Sequence, residues 1–453
     1  MKILTKNLLI TGILISFGYA FDYKVSGQFQ NSSKFGFNND KINQDTGKYP
    51  TDSFSVVTAI LGVDMNLGYG FYAGLAGAVG GMVFDNTKFQ RTVNGEVLNP
   101  QGLAWNYFGF WPGPDYRSEI SARTARDYLV QNAFIAYKYE QYIEIKAGRF
   151  NIPGDWLSGY IQGVSLQSYA IPHTRIWAFT TNRRATLGGK WLKDFKYMNQ
   201  NIPVDNGRGF YVYALGADFK YKNFNIHPYI YAQDSRFIAP GFHFTYDTNP
   251  NFKLEGFRSK TEIIFLDMRH IGPALSKSSA YNNYDIFLYP GRQVAGKGGQ
   301  SLLIKQTFEI NNYNVGAMLY KNFGNPNEFL TPYGDPTGFD NYDNSVYDSA
   351  AWNDVFRRDA INGFLFLGAK YNRLGWQFLA RYTDSPRARE EAVSIGVDYK
   401  FPLNFTAGFK VEYYSNTTFK GYTLGYSNNK PKPLEQNVTQ DRSFISTYIQ
   451  HNF

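Results

Sequence analysis

The chain has 453 residues, no cysteine and a formal net charge of +9 at pH 7, so disulfides, thiol redox chemistry and cysteine-bound metals are excluded. Aromatic residues make up 18% of it, with 36 Tyr and 39 Phe, yet the mean hydropathy is −0.39. A soluble secreted domain of this length would need more Leu, Ile and Val; a chain polar on average but loaded with Tyr and Phe suits a barrel with aromatic girdles and a wet interior.

At the N-terminus, Lys2 and Lys6 precede an apolar run from Leu8 to Phe17, and Gly18-Tyr19-Ala20 offers a small-residue cleavage site. This pattern predicts a secretory signal peptide over residues 1–20, followed by one domain over 21–453. No later stretch approaches the roughly eighteen uninterrupted apolar residues of a membrane-spanning helix. The first strand is expected almost at the cleavage site, which leaves no room for a plug domain.

Strands are predicted at Tyr23 to Gln30 and Phe54 to Asn66, around a polar loop from Asn31 to Ser53, and at Phe71 to Phe84 after a short turn. A long loop reaches Arg126. Asp127 to Tyr139 and Tyr142 to Gly148 form the next hairpin, followed by Ile161 to Tyr169 and Arg175 to Thr181. Tyr211, Tyr213, Leu215, Ala217, Phe219 and Tyr221 then alternate with Val212, Ala214, Gly216, Asp218 and Lys220, and Lys222-Asn223 turns the chain back through Phe224 to Ala232. Lys260 to Tyr289 is read as two strands of ambiguous parity. Leu302 to Ile310, Tyr313 to Tyr320, Phe364 to Tyr371 and Trp376 to Tyr382 follow.

The cleanest unit is Val393 to Tyr414. Val393, Ile395, Val397, Tyr399 and Phe401 share one face and Ser394, Gly396, Asp398 and Lys400 the other. After Pro402-Leu403-Asn404 the same alternation returns with Phe405, Ala407, Phe409, Val411 and Tyr413. Period two in two runs joined by a tight turn is an antiparallel hairpin, and each run is long enough to cross a bilayer. In the last strand Ile445, Thr447, Ile449, His451 and Phe453 share a face, a pattern similar to the C-terminal signature of bacterial outer-membrane barrels.

Together these give an all-β, transmembrane antiparallel β-barrel of about 18 strands, or 16 if a weak pair fails, with short periplasmic turns, long extracellular loops and one loop folded into the lumen. A soluble sandwich has no reason to keep its short connections at one end and its long ones at the other. Arg or Lys on the lipid face at midplane costs roughly 2 to 4 kcal/mol, so Lys146, Asp218, Lys220, Lys305, Glu309, Lys370, Arg381, Asp398, Lys400, Lys410 and Glu412 are assigned to the lumen or a rim. A barrel of this size is too wide for side chains alone to fill it, so its default is a water-filled channel, and an excess of Arg and Lys would favour anionic solutes.

Ala147-Gly148-Arg149-Phe150, a loop through Pro153, Asp155, Trp156 and Gly159, and then Ile161-Gln162-Gly163-Val164-Ser165-Leu166 resemble the OprD-like porins, in which a Gly-Arg strand end precedes a loop folded into the pore. Length, aromatic content and tail look most like the Hof group of Helicobacter outer-membrane proteins. The resemblance covers the whole barrel in architecture, but its motif covers only this loop. It implies a monomeric or homotrimeric outer-membrane channel for small hydrophilic solutes, set in lipid and lipopolysaccharide. It also implies a constriction in which Arg149, Arg175, Arg183 and Arg184 oppose an acidic patch, with Asp155 on the loop. Gln162 stands where that family commonly carries an acidic residue. The alternative is a surface adhesin, since the loops from Phe84 to Arg126 and Asn322 to Ala360 are long and rich in Trp, Tyr, Asn and Gly.

Other motifs carry little. Gly291 to Lys297 begins like a phosphate-binding loop but closes with Gly298, and no helix follows. Asp335, Asp340, Asp343, Asp348 and Asp354 lack the spacing of a calcium loop. The five histidines His173, His227, His243, His270 and His451 include no pair at i, i+4 and no H-E-x-x-H, so spacing supports no metal site. No Ser-His or Asp-His set suggests an enzyme or a cofactor, and no feature suggests a nucleic-acid partner.

Overall fold

A computed structural model describes residues 22–43, 45–97, 103, 127–198, 211–271, 298–326, 330, 334–341, 353–427 and 430–453. The signal-peptide expectation and the Gly291 to Lys297 motif fall outside them. The strands are β1 (Asp22–Gly36), β2 (Phe54–Gly68), β3 (Phe71–Asp85), β4 (Tyr128–Tyr139), β5 (Ile143–Ile152), β6 (Gly159–Ile171), β7 (Thr174–Gly188), β8 (Trp191–Tyr197), β9 (Val212–Tyr221), β10 (Phe224–Gln233) and β11 (Phe237–Asp247). They continue as β12 (Phe257–His270), β13 (Gly298–Ile310), β14 (Tyr313–Gly324), β15 (Ile361–Tyr371), β16 (Leu374–Asp384), β17 (Ala388–Lys400), β18 (Phe405–Thr418), β19 (Thr423–Ser427), β20 (Lys430–Pro433), β21 (Val438–Asp441) and β22 (Phe444–Asn452).

Eighteen of these close into a barrel, each paired antiparallel with its neighbour. β7 pairs β9, β18 pairs β22, and β22 returns to β1 with Phe29 opposite His451. The closure is fastened at the C-terminus, where Phe453 and Gly27 exchange backbone hydrogen bonds at 2.8 and 3.0 Å. A Cβ at Gly27 would stand 2.1 Å from the Phe453 ring, so glycine leaves the room in which the terminal ring packs against the first strand. β8 and β21 extend β7 and β18 beyond the barrel, and β19 and β20 form a separate hairpin.

The outer face follows from period two. Val393, Ile395 and Tyr399 of β17 and Phe405, Phe409 and Tyr413 of β18 are exposed, whereas Glu390, Ala392 and Ser394, and Glu412 and Tyr414, are buried. No helix of the described residues is long and apolar enough to cross a membrane; the strands do so, with their backbone groups paired around the closed sheet. Beside the short turns, Phe219 with Tyr221, Phe224 with Tyr246, Phe257 with Phe308, Tyr313 with Tyr371 and Tyr399 with Phe401 pack ring to ring. They make a girdle at the end where β1 begins and β22 finishes.

One strand departs from expectation on each side of the count. Phe237–Asp247 is a barrel strand, and of the pair expected over Lys260 to Tyr289 the described residues give one, β12, which pairs directly with β13 from Phe257 opposite Ile310 to Arg269 opposite Gly298; residues 272–289 lie outside the described residues. Sequence alternation missed β11 for a physical reason: its inward residues Phe237 and Ala239 are as apolar as its outward ones, and Pro240-Gly241 interrupts the ladder.

The interior is not an even tube. Phe150, Trp156, Leu157, Ile161, Tyr229, Tyr231, Leu266, Leu303, Tyr320, Leu330, Val355 and Phe364 form one buried apolar cluster inside the wall. A second joins the inward Phe54, Val56, Ala78 and Leu129 to Ala185, Leu192 and Phe195. The tips of β5 to β7, and β8 with them, are thus packed between two apolar masses instead of facing lipid.

Candidate functional site

Four lumenal residues stand directly opposite one another on successive strands: Arg175 on β7 faces Asp218 on β9, His227 follows on β10, and His227 faces His243 on β11. On β12 and β13 the row continues through Glu262, which faces Lys305. Arg175 is ion-paired with Asp218. Asp218 Oδ1 lies 3.3 Å from His227 Nδ1, and the Trp177 indole N–H donates to His227 Nε2 at 3.2 Å. His243 Nε2 is 3.7 Å from Glu262, whose carboxylate also receives Lys260 at 2.7 Å.

The loop between β5 and β6 is folded onto this row. Asp155 Oδ2 is 3.1 Å from His243 Nδ1, Trp156 Nε1–H donates to the Tyr229 hydroxyl at 2.7 Å, and Arg184 Nε donates to the Ser158 carbonyl at 2.7 Å. Three bonds to three different strands therefore fix six residues inside the barrel, and Trp156 and Leu157 have no exposed surface. A second loop, between β14 and β15, also enters. Gly334 lies so close that a Cβ there would be 2.5 Å from the Trp156 backbone, and Phe339 stacks on Phe364 with the Lys305 ammonium 5.1 Å above it. Asp335 in this loop lies outside the spanning strands, and its burial raises its pKa to about 6 against the lowering effect of hydrogen bonds from Thr337 and Asn341.

The expected wall residues fall into separate groups. Arg175 and Asp155 meet at the row just described. Arg184 acts on the loop's backbone and on Thr186. Arg149 bonds the Gln162 side chain at 3.1 Å and stacks on Phe195 at 4.4 Å, and Arg183 stacks on Tyr197 at 4.3 Å; both lie beside β8. Lys146 sits 3.6 Å from Glu144 among Tyr72, Phe134 and Phe150. Across the barrel, Arg381 is buried against Glu390, Lys410 pairs with Glu412 at 2.9 Å, and the Asp398 carboxylate covers Gly375. Lys400 is exposed at the end of β17. Sequence reasoning passed over His227, His243, Trp177, Lys260 and Glu262. The two histidines become neighbours only through the pairing of β10 with β11, so recognising β11 as a strand was the missing step.

Residues 8–453 match the model of a protein family described as "Putative outer membrane protein". The chain belongs to that outer-membrane family. Its fold is shared with solved barrels: Pseudomonas aeruginosa OccK9 (OpdG), at 13% identity over 95% of this chain and 98% of that one with a TM-score of 0.63; Acinetobacter baumannii OccAB1, at 10% identity over 96% and 97% with a TM-score of 0.63; and A. baumannii OccAB2, at 12% identity over 95% and 98% with a TM-score of 0.63. At such identities the likeness is one of fold. No curated protein matches the chain in sequence. The protein is thus an outer-membrane, porin-like β-barrel whose outer face meets lipid, as the OprD-like resemblance of its sequence implied.

Proposed function

We propose that this barrel is a water-filled diffusion channel for small hydrophilic solutes, narrowed where the Asp155 loop faces the row from Arg175 to Lys305, and that basic groups there favour solutes with an anionic group. On this reading residues 1–20 direct export and are removed. One observation carries the proposal: the β5–β6 loop is bonded to the charged lumenal wall by Asp155, Trp156 and Ser158 instead of spreading over the mouth. A loop held there sets the width and field of the path, since a narrow, low-dielectric passage strengthens each charge that lines it.

The basic side comprises Arg175, Arg184, Lys260 and Lys305, and the chain, +9 in full, keeps about +7 once Lys2 and Lys6 leave with residues 1–20. Asp218 and Glu262 offset part of this charge through their pairs with Arg175 and Lys260, so the preference is modest and falls as salt rises. Purified protein in planar bilayers should conduct, and its reversal potential in a KCl gradient should favour chloride. Arg175→Ala leaves Asp218 without its cation and should move the reversal potential toward potassium. A barrel that does not conduct, or one that prefers potassium, would overturn the proposal.

A further inference from the structure

Asp155, His227 and His243 each present a ligand atom, and these atoms all lie within 4.8 Å of one another. From this geometry we propose that the constriction binds a borderline divalent transition-metal ion of the Zn2+, Ni2+ or Cu2+ class through these three side chains, tying the infolded loop to the wall.

Such an ion holds N and O ligands at about 2.0–2.2 Å, which places neighbouring ligand atoms of a tetrahedron about 3.2–3.5 Å apart. Asp155 Oδ2 and His243 Nδ1, at 3.1 Å, are within about 0.1 Å of that separation, and the third ligand atom, no more than 4.8 Å from either, reaches it with a side-chain adjustment of about 1.3 Å or less. Two imidazoles and one carboxylate suit this class of ion, whereas Mg2+ and Ca2+ prefer all-oxygen sites. Three protein ligands leave a fourth position toward the lumen, as in exchangeable sites.

The surroundings favour the same reading. A histidine that binds a metal usually offers its other ring nitrogen to a carboxylate, and both histidines here have a second carboxylate in reach, Asp218 at 3.3 Å from His227 Nδ1 and Glu262 at 3.7 Å from His243 Nε2. His227 would then use Nε2, exchanging the Trp177 N–H for the ion. Two cations beside the site, Arg175 and Lys260, are held by those same carboxylates. Asp155 is also fixed before any ion arrives, by the Trp156–Tyr229 bond beside it and by the backbone of Gly334 against it, so little ordering cost falls on binding.

The proposal does not rest on the channel reading, because binding is measured on the protein itself. Untagged full-length protein, refolded in detergent, is titrated with ZnCl2 by calorimetry in a non-chelating buffer. One site per chain is expected, with affinity falling at least tenfold in the His227→Ala, His243→Ala double variant and in Asp155→Asn, and by a smaller factor in Asp218→Asn. Heat-modifiable migration on gels shows that each variant remains a folded barrel, and Asp155→Asn, on a loop, covers the case in which the double variant fails to fold. No binding up to millimolar ZnCl2, or equal affinity in the wild type and a folded variant lacking Asp155 or both histidines, overturns the site.

Discussion

The indole N–H of Trp156 donates to the hydroxyl of Tyr229 at 2.7 Å, and that hydroxyl reaches the Phe265 carbonyl at 3.2 Å. A loop side chain is in this way bonded to β10 and, through it, to β12. Because Trp156 has no exposed surface, the bond works in a dry setting where leaving either group unpaired is costly.

Trp156→Ala should therefore free the infolded β5–β6 loop, and on the proposed channel reading widen the path. Removing a fully buried tryptophan costs about 3–5 kcal/mol, and the expected result is a rise in single-channel conductance with a lower thermal midpoint. Tyr229→Phe strands the indole N–H at a cost of about 1–3 kcal/mol and should give a smaller change of the same sign. Conductance histograms of both variants against wild type check the order.

Gly334→Ala tests whether the two infolded loops act as one body. Its Cβ would meet the Trp156 backbone at 2.5 Å, and backbone on both sides leaves no flexible atom to yield. Displacement of the β14–β15 loop should appear as faster proteolysis between β14 and β15 without loss of barrel migration on gels.

Acidity should tighten that same loop. The Asp335 pKa is raised to about 6 from its ordinary 3.8 by burial, so the folded state favours the neutral acid. The stabilisation is full below the unfolded value near 3.8 and is lost as pH rises through about 6, a swing of about 3 kcal/mol. Proteolysis of the loop should accordingly slow between pH 7 and pH 4, and Asp335→Asn should flatten that dependence.

Arg381 and Glu390 form a buried pair in which Glu390 also accepts the Asp354 backbone N–H at 2.7 Å and the Asn416 amide at 3.0 Å. Breaking such a pair from one side costs about 3–5 kcal/mol, because an uncompensated charge stays buried. Glu390→Ala should lower the thermal midpoint in detergent more than Lys410→Ala, whose partially exposed pair with Glu412 contributes less.

The sequence by itself determined the barrel. Period two in Val393 to Tyr414, the Phe453 face and the alternation of short and long connections specify an even, closed, lipid-facing sheet, because each is a local pattern and a strand's two faces are set by its own residues. Charge on strands was equally legible: placing Lys146, Asp218 and Arg381 inward follows from what lipid forbids. The tertiary structure alone decided what those charges touch. β11 hid its lumenal face behind Phe237 and Ala239, and without β11 the neighbourhood of His227 and His243 cannot be written down. Arg149 and Arg184, equivalent as basic residues in a motif, were separated by which side of the infolded strand tips each occupies, one on Phe195 and the other on the Ser158 carbonyl. Contacts between residues far apart in the chain depend on register, on bulges and on loops that turn inward, and no local alternation encodes those.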